Sequence, residues 1–384
     1  MKKYDYIILG GGAAGLSLAF LMSKDAYFLD KKILLLEKEN KNTNDRTWCY
    51  WEDEKGDWDD ILTKRWNIIR FAGPSIDKEF NLEPYTYKCL RSADFYTKVY
   101  RQIEKTTSVE IRREKVVSFR DHGQRVQIKT VSAHYEASKV FSSISFQTTY
   151  KKQQRYPLLN QHFVGWFIEI DKPVFKDYLA TFMDFNVAQK GNTRFMYMLP
   201  LSQTKALFEY TLFSKKMLKN EEYESEIKAY LNKIGIKNYK ITEKERGCIP
   251  MTSYNFAKHN SKNLLYIGTV GGWTKASTGF TFKSTVEKNK SLISFIKNEG
   301  FNLIKFNRRT RFWVYDLLFL DVLYQRNERG AELFSKLFRK NKTETILKFL
   351  EEKTSFIEEL RIMISMPSLL FTKALFKRIF KIPF

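Results

Sequence analysis

The stretch that decides the fold is Tyr4–Gly15, YDYIILGGGAAG. Residues 4–9 form a short, mostly apolar run, the pattern of a strand buried in a parallel sheet. Glycines follow at Gly10, Gly12 and Gly15, and then LSLAFLMSK reads as a helix. Strand, glycine turn and helix in that order are the context that gives G-x-G-x-x-G its meaning. Gly10 permits a tight turn, Gly12 removes a Cβ so that backbone can approach a pyrophosphate, and Gly15 lets helix and strand pack closely. Free N–H groups at the helix start, Ala14 among them, would hold the anion with help from the helix dipole. A second strand, KILLLEK (32–38), ends in Glu37, where an acid accepts from a ribose hydroxyl and favours a free 2′-OH. The motif alone does not separate FAD from NAD. The uncharged run 7–22 is about 16 residues, shorter than the roughly 20 a membrane-spanning helix needs.

Working outward, residues 92–105 read as an amphipathic helix with Phe95, Val99 and Ile103 on one side. VEIRREKVVSF (109–119) and RVQIKTVSAHYEASKVFSSI (125–144) alternate like strands of a small antiparallel meander. HFVGWFIEI (162–170), RFMYMLPL (194–201) and KALFEYTLF (205–213) look like strands of a broad sheet. Between them and 263, residues 221–235 read as a helix. From 263 the chain returns to strand, glycine turn and helix, with Gly268, Thr269, Gly271 and Gly272 in the turn. The tail from 301 carries Phe, Leu, Lys and Arg at helical spacing.

The 384 residues suffice for two or three domains. A net charge of +23 attracts polyanions, either nucleic acid or an anionic membrane surface. The basic residues are spread along the chain and no RNA or DNA motif occurs, so nucleic acid is not the expected partner. Cys49, Cys89 and Cys248 lie far apart and the four His are scattered, so neither a disulfide framework nor a metal site is expected. A reducing cytosolic setting fits.

Five stretches carry a resemblance: NDRTWCYWE (44–52), QHFVGWFIE (161–169), LFEYTLFS (207–214), IPMT (249–252) and GTVGGWTKASTGFTFK (268–283). Together they resemble the bacterial lycopene cyclase family over nearly the whole chain. The departures are Ala276, where the family more often has Pro, and VFSSIS (140–145), where a more polar sequence is common. The resemblance implies an α/β fold: a Rossmann-type FAD-binding domain of the glutathione-reductase-like flavoproteins, an inserted β-sheet substrate domain and a C-terminal helical segment. The expected division is 1–60, 90–150 and 245–300 for the cofactor, 61–89 and 151–244 for the substrate sheet, and 301–384 for a membrane-associating segment. It further implies cyclisation of the ψ-ends of lycopene to β-ionone rings, with reduced FAD as cofactor, NAD(P)H as the expected reductant and no net redox change. Another flavoenzyme of the same fold, such as an isoprenoid oxidoreductase or monooxygenase, is the alternative.

Under that resemblance Glu209 is the expected general acid, corresponding to the first acid of the family's E-[ED]-T pattern. An apolar pocket would keep its carboxyl protonated at neutral pH. By strand alternation Phe208, Tyr210 and Leu212 face one way and Leu207, Glu209 and Thr211 the other, and spacing alone would make Glu209 an exposed acid on the polar face. Trp48, Tyr50, Trp51 and Trp273 are the aromatic candidates for stabilising a carbocation, since ring faces offer negative potential without a nucleophile. If 44–53 is extended, Trp48 and Tyr50 share one side and Trp51 takes the other. Asp45 and Arg46 orient the loop or bind cofactor, Glu52 is either a candidate base for the C6 proton or a solvated acid, and Arg91 is either a flavin contact or a plain helix start. In the second turn the acid of the usual GDA is missing, so Thr269, Gly271 and Gly272 would act through backbone N–H groups. The tail 366–384, with Lys373, Lys377, Arg378 and Lys381 among Leu370, Ala374, Phe376 and Phe380, reads as an interfacial helix. The expected location is the cytoplasm, peripherally on the inner face of the cytoplasmic membrane, with lycopene and related carotenoids as substrates.

Overall fold

A computed structural model describes residues 1–299, 302–306 and 309–380; Lys381 of the tail, and residues 300 and 301 at the expected domain boundary, lie outside these. The opening stretch forms strand Lys2–Leu9 and helix Ala13–Lys24. That strand sits between the parallel strands Ile33–Glu37 and His134–Ser142; Val109–Arg113 extends the sheet on one side, and Val126–Thr130 and Val116–Asp121 on the other. Ile33–Glu37 is buried at every position, as a strand covered on both faces must be. Helix Ala13–Lys24 packs on helix Phe282–Glu299, where Asn289 Nδ2 donates to Ala14 O at 2.9 Å and Ser17 Oγ at 2.7 Å.

The expected meander at 125–144 needs correction. Its first part pairs antiparallel, but His134–Ser142 goes on to pair in parallel with Lys2–Leu9 and with Leu264–Tyr266. Val140 and Phe141 are fully buried, which suits the centre of a sheet rather than an edge ribbon.

A second sheet runs in the order Lys240–Met251, Leu159–Glu169, Lys205–Ser214, Thr193–Pro200, Leu179–Asp184, Ile68–Gly73, Ile76–Asn81. One face packs Trp166, Phe208, Tyr210 and Leu212 against Tyr223 and Ile227 of helix Asn220–Lys233. The other face buries Phe182, Phe195, Leu207 and Phe213 against Phe334 and Phe338 of helix Gly330–Lys340. Between the two large sheets lies a small one, Thr47–Glu52, Thr86–Arg91 and Lys64–Trp66.

Two expected boundaries shift accordingly. Strand Lys240–Met251 pairs along its length with Leu159–Glu169, so the substrate sheet extends past 244 to 251. Within 61–89 only the hairpin 68–81 joins that sheet; 64–66 and 86–91 pair within the small sheet that Thr47–Glu52 belongs to. Four more helices, Arg311–Gln325, Thr343–Leu350, Phe356–Ser365 and Ser368–Ile379, complete the C-terminal segment. Among the described residues no helix is long and apolar enough to cross a membrane.

Candidate active site

The glycine turn comes first. Gly10 has φ +95°, and a Cβ there would come within 2.3 Å of Ser143 Oγ. A Cβ on Gly15 would sit 2.0 Å from Gly10 O, so helix and turn touch backbone to backbone. A Cβ on Gly12 would meet nothing within 4 Å. This open side borders the start of helix Ala13–Lys24, which no side chain caps. Its unclaimed N–H groups and dipole form a cradle that fits a pyrophosphate. Glu37 is buried at the end of its strand; one carboxylate oxygen accepts from Gly11 N and the other from Glu39 N at 2.8 Å. Sequence reasoning passed over Gly11, yet a Cβ there would collide with Glu37 Cγ at 2.8 Å. The second glycine turn closes against the first, since a Cβ on Gly268 would lie 2.8 Å from that of Ala14. Thr269, Gly271 and Gly272 form this turn, with Gly272 at φ +74°.

Strand Thr47–Glu52 alternates between two interiors. Trp48 stacks on Phe282 with centroids 5.0 Å apart and meets Phe95 edge-on at 5.2 Å. Tyr50 follows it, 5.1 Å from Phe282. Trp51 points the opposite way, edge-on to Phe280 at 4.7 Å and to Phe182 at 6.3 Å. A cavity of about 350 Å3 opens beside this strand. Tyr50, Trp51, Trp273, Gly271, Gly272 and Phe280 stand in its wall, and its size suits part of a ligand. Tyr50 Oη, Trp51 Nε1 and Trp273 Nε1 are buried without a hydrogen-bond partner. Such orphaned groups are uncommon in folded proteins and mark a place where a bound group would supply the partner. Trp48 does not join this wall, because its ring is committed to the helix Ser92–Ile103 side.

Glu209 lies on the inner face of the large sheet, with Leu207 and Phe213, and not on a solvated one. The residue is part-buried by area, and its carboxyl lies deep in protein. Burial, and then the charge of the Glu245 carboxyl, push its pKa far above the ordinary range; the Thr211 hydroxyl, donating at 2.7 Å, offsets this in part. Cys49 of the cavity wall and Tyr197 of the adjacent strand both feel the Glu209 charge. The sequence pointed to Glu209 but not to Glu245. The available signal was Gly165, a glycine inside the aromatic strand Leu159–Glu169, which marks a close approach.

The partners seen in the structure bear on the roles expected of Arg91, Glu52 and the Asp45–Arg46 pair. Arg91 does open helix Ser92–Ile103, but its guanidinium donates to Glu243 at 2.5 Å and lies 4.0 Å over the Phe167 ring. It ties the small sheet to the large one, and its Nε is buried without a hydrogen-bond partner. Glu52 is neither solvated nor free to act as base. It is buried and paired with Lys88 at 2.9 Å and with Lys283. Asp45 is the loop orienter, accepting from Lys41, Ser92 and Tyr96, whereas Arg46 is exposed and donates to the Asp45 carbonyl at 2.6 Å. In another part of the cavity wall, Lys275 is buried between Asp316 at 3.1 Å and Glu352 at 3.2 Å. Among the described residues no group of three or more His, Cys, Asp or Glu is placed to hold a metal ion.

A family described as lycopene cyclase protein matches residues 5–375. No curated protein sequence matches the chain. Solved structures share its fold at low identity. A geranylgeranyl bacteriochlorophyll reductase-like protein from Thermoplasma acidophilum is 13% identical, with TM-score 0.62, 97% of this chain and 98% of that one covered. A flavoprotein/dehydrogenase from Cytophaga hutchinsonii is 12% identical, with TM-score 0.64 and coverage of 99% and 100%. A flavin-dependent brominase is 11% identical, with TM-score 0.60 and coverage of 99% and 100%.

Proposed function

Because the chain belongs to the lycopene cyclase family, we propose that it is a lycopene β-cyclase, closing the ψ-ends of lycopene to β-ionone rings through γ-carotene to β-carotene. The observation that carries this reading is Glu209, a carboxyl kept protonated on the inward face of a sheet, beside an aromatic interior. An isolated alkene accepts a proton only from an acid shielded from water. Glu209 delivers its proton to C2 of the terminal double bond, leaving a tertiary cation at C1. The C5=C6 bond attacks that cation, the charge moves to C5, and loss of the C6 proton completes the ring. Proton gain and loss balance, so the enzyme acts as an isomerase.

Trp51, with Phe182 and Phe280 around it, offers ring faces to the cation at about 1–2 kcal/mol per desolvated contact. Tyr50 and Trp273 complete the wall from the cofactor half. FAD fits the glycine cradle: the open side of Gly12 for the pyrophosphate, Glu37 for the ribose, and the turn at Thr269, Gly271 and Gly272 for the flavin side. In its reduced anionic form FAD would supply a negative charge near the cation, with NAD(P)H as electron source.

The substrate resides in lipid, and the C-terminal helices support a membrane-facing role. Helices Phe356–Ser365 and Ser368–Ile379 expose Phe356 (69%), Ile364 (72%), Leu369 (80%) and Phe376, with Arg361 and Lys373 nearby. Exposed apolar side chains among bases suit an interfacial helix on anionic lipid. Ala374, by contrast, is buried, and Leu370 and Phe371 pack inward on Val322 and Leu333. The location proposed with this reading is peripheral, on the inner face of the cytoplasmic membrane.

Expression in cells that accumulate lycopene, followed by pigment analysis, tests the reading. Conversion to cyclic carotenes is expected. Unchanged lycopene with flavin bound would refute it, as would consumption of reductant in step with product, which would mean net redox chemistry.

A further inference from the structure

Glu209 does not stand alone on its face. Strand register sets Glu245, Gly165, Glu209 and Tyr197 in one row across four neighbouring strands. Residues directly opposite one another project from the same face. Gly165 has no side chain, so no side chain of the strand between them separates Glu245, which leans over it, from Glu209 on the far strand. A Cβ there would come within 3.0 Å of Glu245 Cγ and 2.9 Å of Leu207 Cδ1. Each carboxyl is held from its other side. Thr211 Oγ1 donates to Glu209 Oε1 at 2.7 Å, and Thr47 Oγ1 donates to Glu245 Oε2 at 2.7 Å. Thr47 comes from the small sheet, on the strand that carries Trp48 to Trp51. The interior that holds the acid and the wall that lines the cavity are therefore joined at Glu245.

The surroundings leave room for one proton on the pair. From the small sheet Cys49, Tyr87 and Arg91 face this region; from the large sheet Tyr197 and Glu243 do. Arg91 is the single cation among them, and it is already bonded to Glu243. Burial raises both carboxyls, but Thr47 and Arg91 draw Glu245 back down, whereas the Glu245 charge raises Glu209 further. The proton accordingly resides on Glu209.

We propose that Glu245 is a positioning residue for the acid: across the gap left by Gly165 it shares one proton with Glu209, while Thr47 fixes it as the acceptor. The chemistry of this inference rests on the cyclase reading. As the C2–H bond forms, the O–H bond of Glu209 breaks and two carboxylates face the cation. The neighbouring Glu245 charge makes the Glu209 carboxylate avid for a proton, so it recovers the one released from C6. C2 and C6 both flank C1, which places giver and receiver within reach of one carboxyl. The pair ends each ring closure as it began.

The test uses the FAD-loaded, chemically reduced protein with lycopene in liposomes, comparing wild type, E209Q, E245Q and E245D across pH. Bound flavin checks that each variant folds. E209Q should be inactive at every pH. In E245Q the alkaline fall in activity should move to lower pH by about one unit or more, the size of effect a neighbouring charge has on a carboxyl. E245D, which withdraws the carboxyl by one methylene, should shift it less. A second readout needs no turnover: the infrared carboxylic-acid band that E209Q removes should titrate at lower pH in E245Q. An unmoved band and an unmoved activity limb in E245Q would overturn the pair while leaving the cyclase reading intact. A wild type that fails to cyclise, with a band that still shifts in E245Q, would overturn the reading while the pair stands.

Discussion

Replacing Gly12 by Ala separates binding from folding in a way few substitutions can. Gly12 has φ −81° and ψ −173°, a conformation that alanine adopts without strain. Its added methyl would meet no atom within 4 Å, so the free protein should unfold within about 0.5 kcal/mol of wild type. The methyl would stand in the cradle. It would hold a pyrophosphate off the unclaimed N–H groups at the start of helix Ala13–Lys24. Losing two hydrogen bonds to a charged group costs about 1.5–3 kcal/mol each. The sum, about 3–6 kcal/mol, weakens FAD by roughly 100- to 20,000-fold. Flavin-fluorescence titration of the apoprotein measures the affinity, and thermal unfolding without FAD measures the fold. Gly15→Ala is the contrast: its methyl would lie 2.0 Å from Gly10 O, so it should damage the fold itself. Wild-type FAD affinity in Gly12→Ala would refute the cradle, and so would apoprotein destabilisation equal to that of Gly15→Ala.

His162 gives a pH prediction. It is buried with Nε2 2.7 Å from Ser214 Oγ and Nδ1 2.7 Å from the Tyr223 hydroxyl, and burial pulls its pKa down from 6.5 to about 4. Between those values the unfolded chain binds a proton that the native one refuses, so stability falls as pH drops through this window, by about 3 kcal/mol in full. Urea unfolding should show a shallower loss in His162→Gln, and equal pH slopes in the two proteins would sink the assignment. Trp51→Ala should slow cyclisation about tenfold or more, from a lost cation–π contact of about 1–2 kcal/mol, and keep its flavin. Trp48→Ala should instead lower the melting temperature, because its ring packs on Phe282 and Phe95; the reverse pattern would exchange their roles. Serine at Ile364, Leu369 and Phe376 should release the protein from anionic liposomes in a flotation assay without changing its melting temperature, since all three are exposed. Undiminished flotation would remove this surface from the membrane reading.

Local signals were legible in the sequence, and contacts set by register were not. The glycine turn could be read because strand, turn and helix are consecutive and each glycine has its own steric reason. The two sides of the strand Thr47–Glu52 could be read from its period of two, which separates Trp48 and Tyr50 from Trp51. Glu209 looked like a residue on a polar face, because alternation says which residues share a side but not what covers that side. Glu245 was harder still: its strand alternates exposed and half-buried positions, the pattern of a solvated edge. Only pairing with Gly165 brings it beside Glu209. Arg91 and Glu52 follow the same rule, since the partners that define them, Glu243 and Lys283, lie 152 and 231 residues away in the chain.

The small sheet has a consequence for how such a protein can change. Thr47–Glu52 is a party wall with a tenant on each side. A single residue inserted or deleted within it would exchange the two sets of aromatic rings, turning Trp51 toward Phe282 and Trp48 toward Phe280. Loops elsewhere can lengthen freely, but this strand has a fixed count. Neither half can be refitted for a new cofactor or a new hydrocarbon without the other half registering the change.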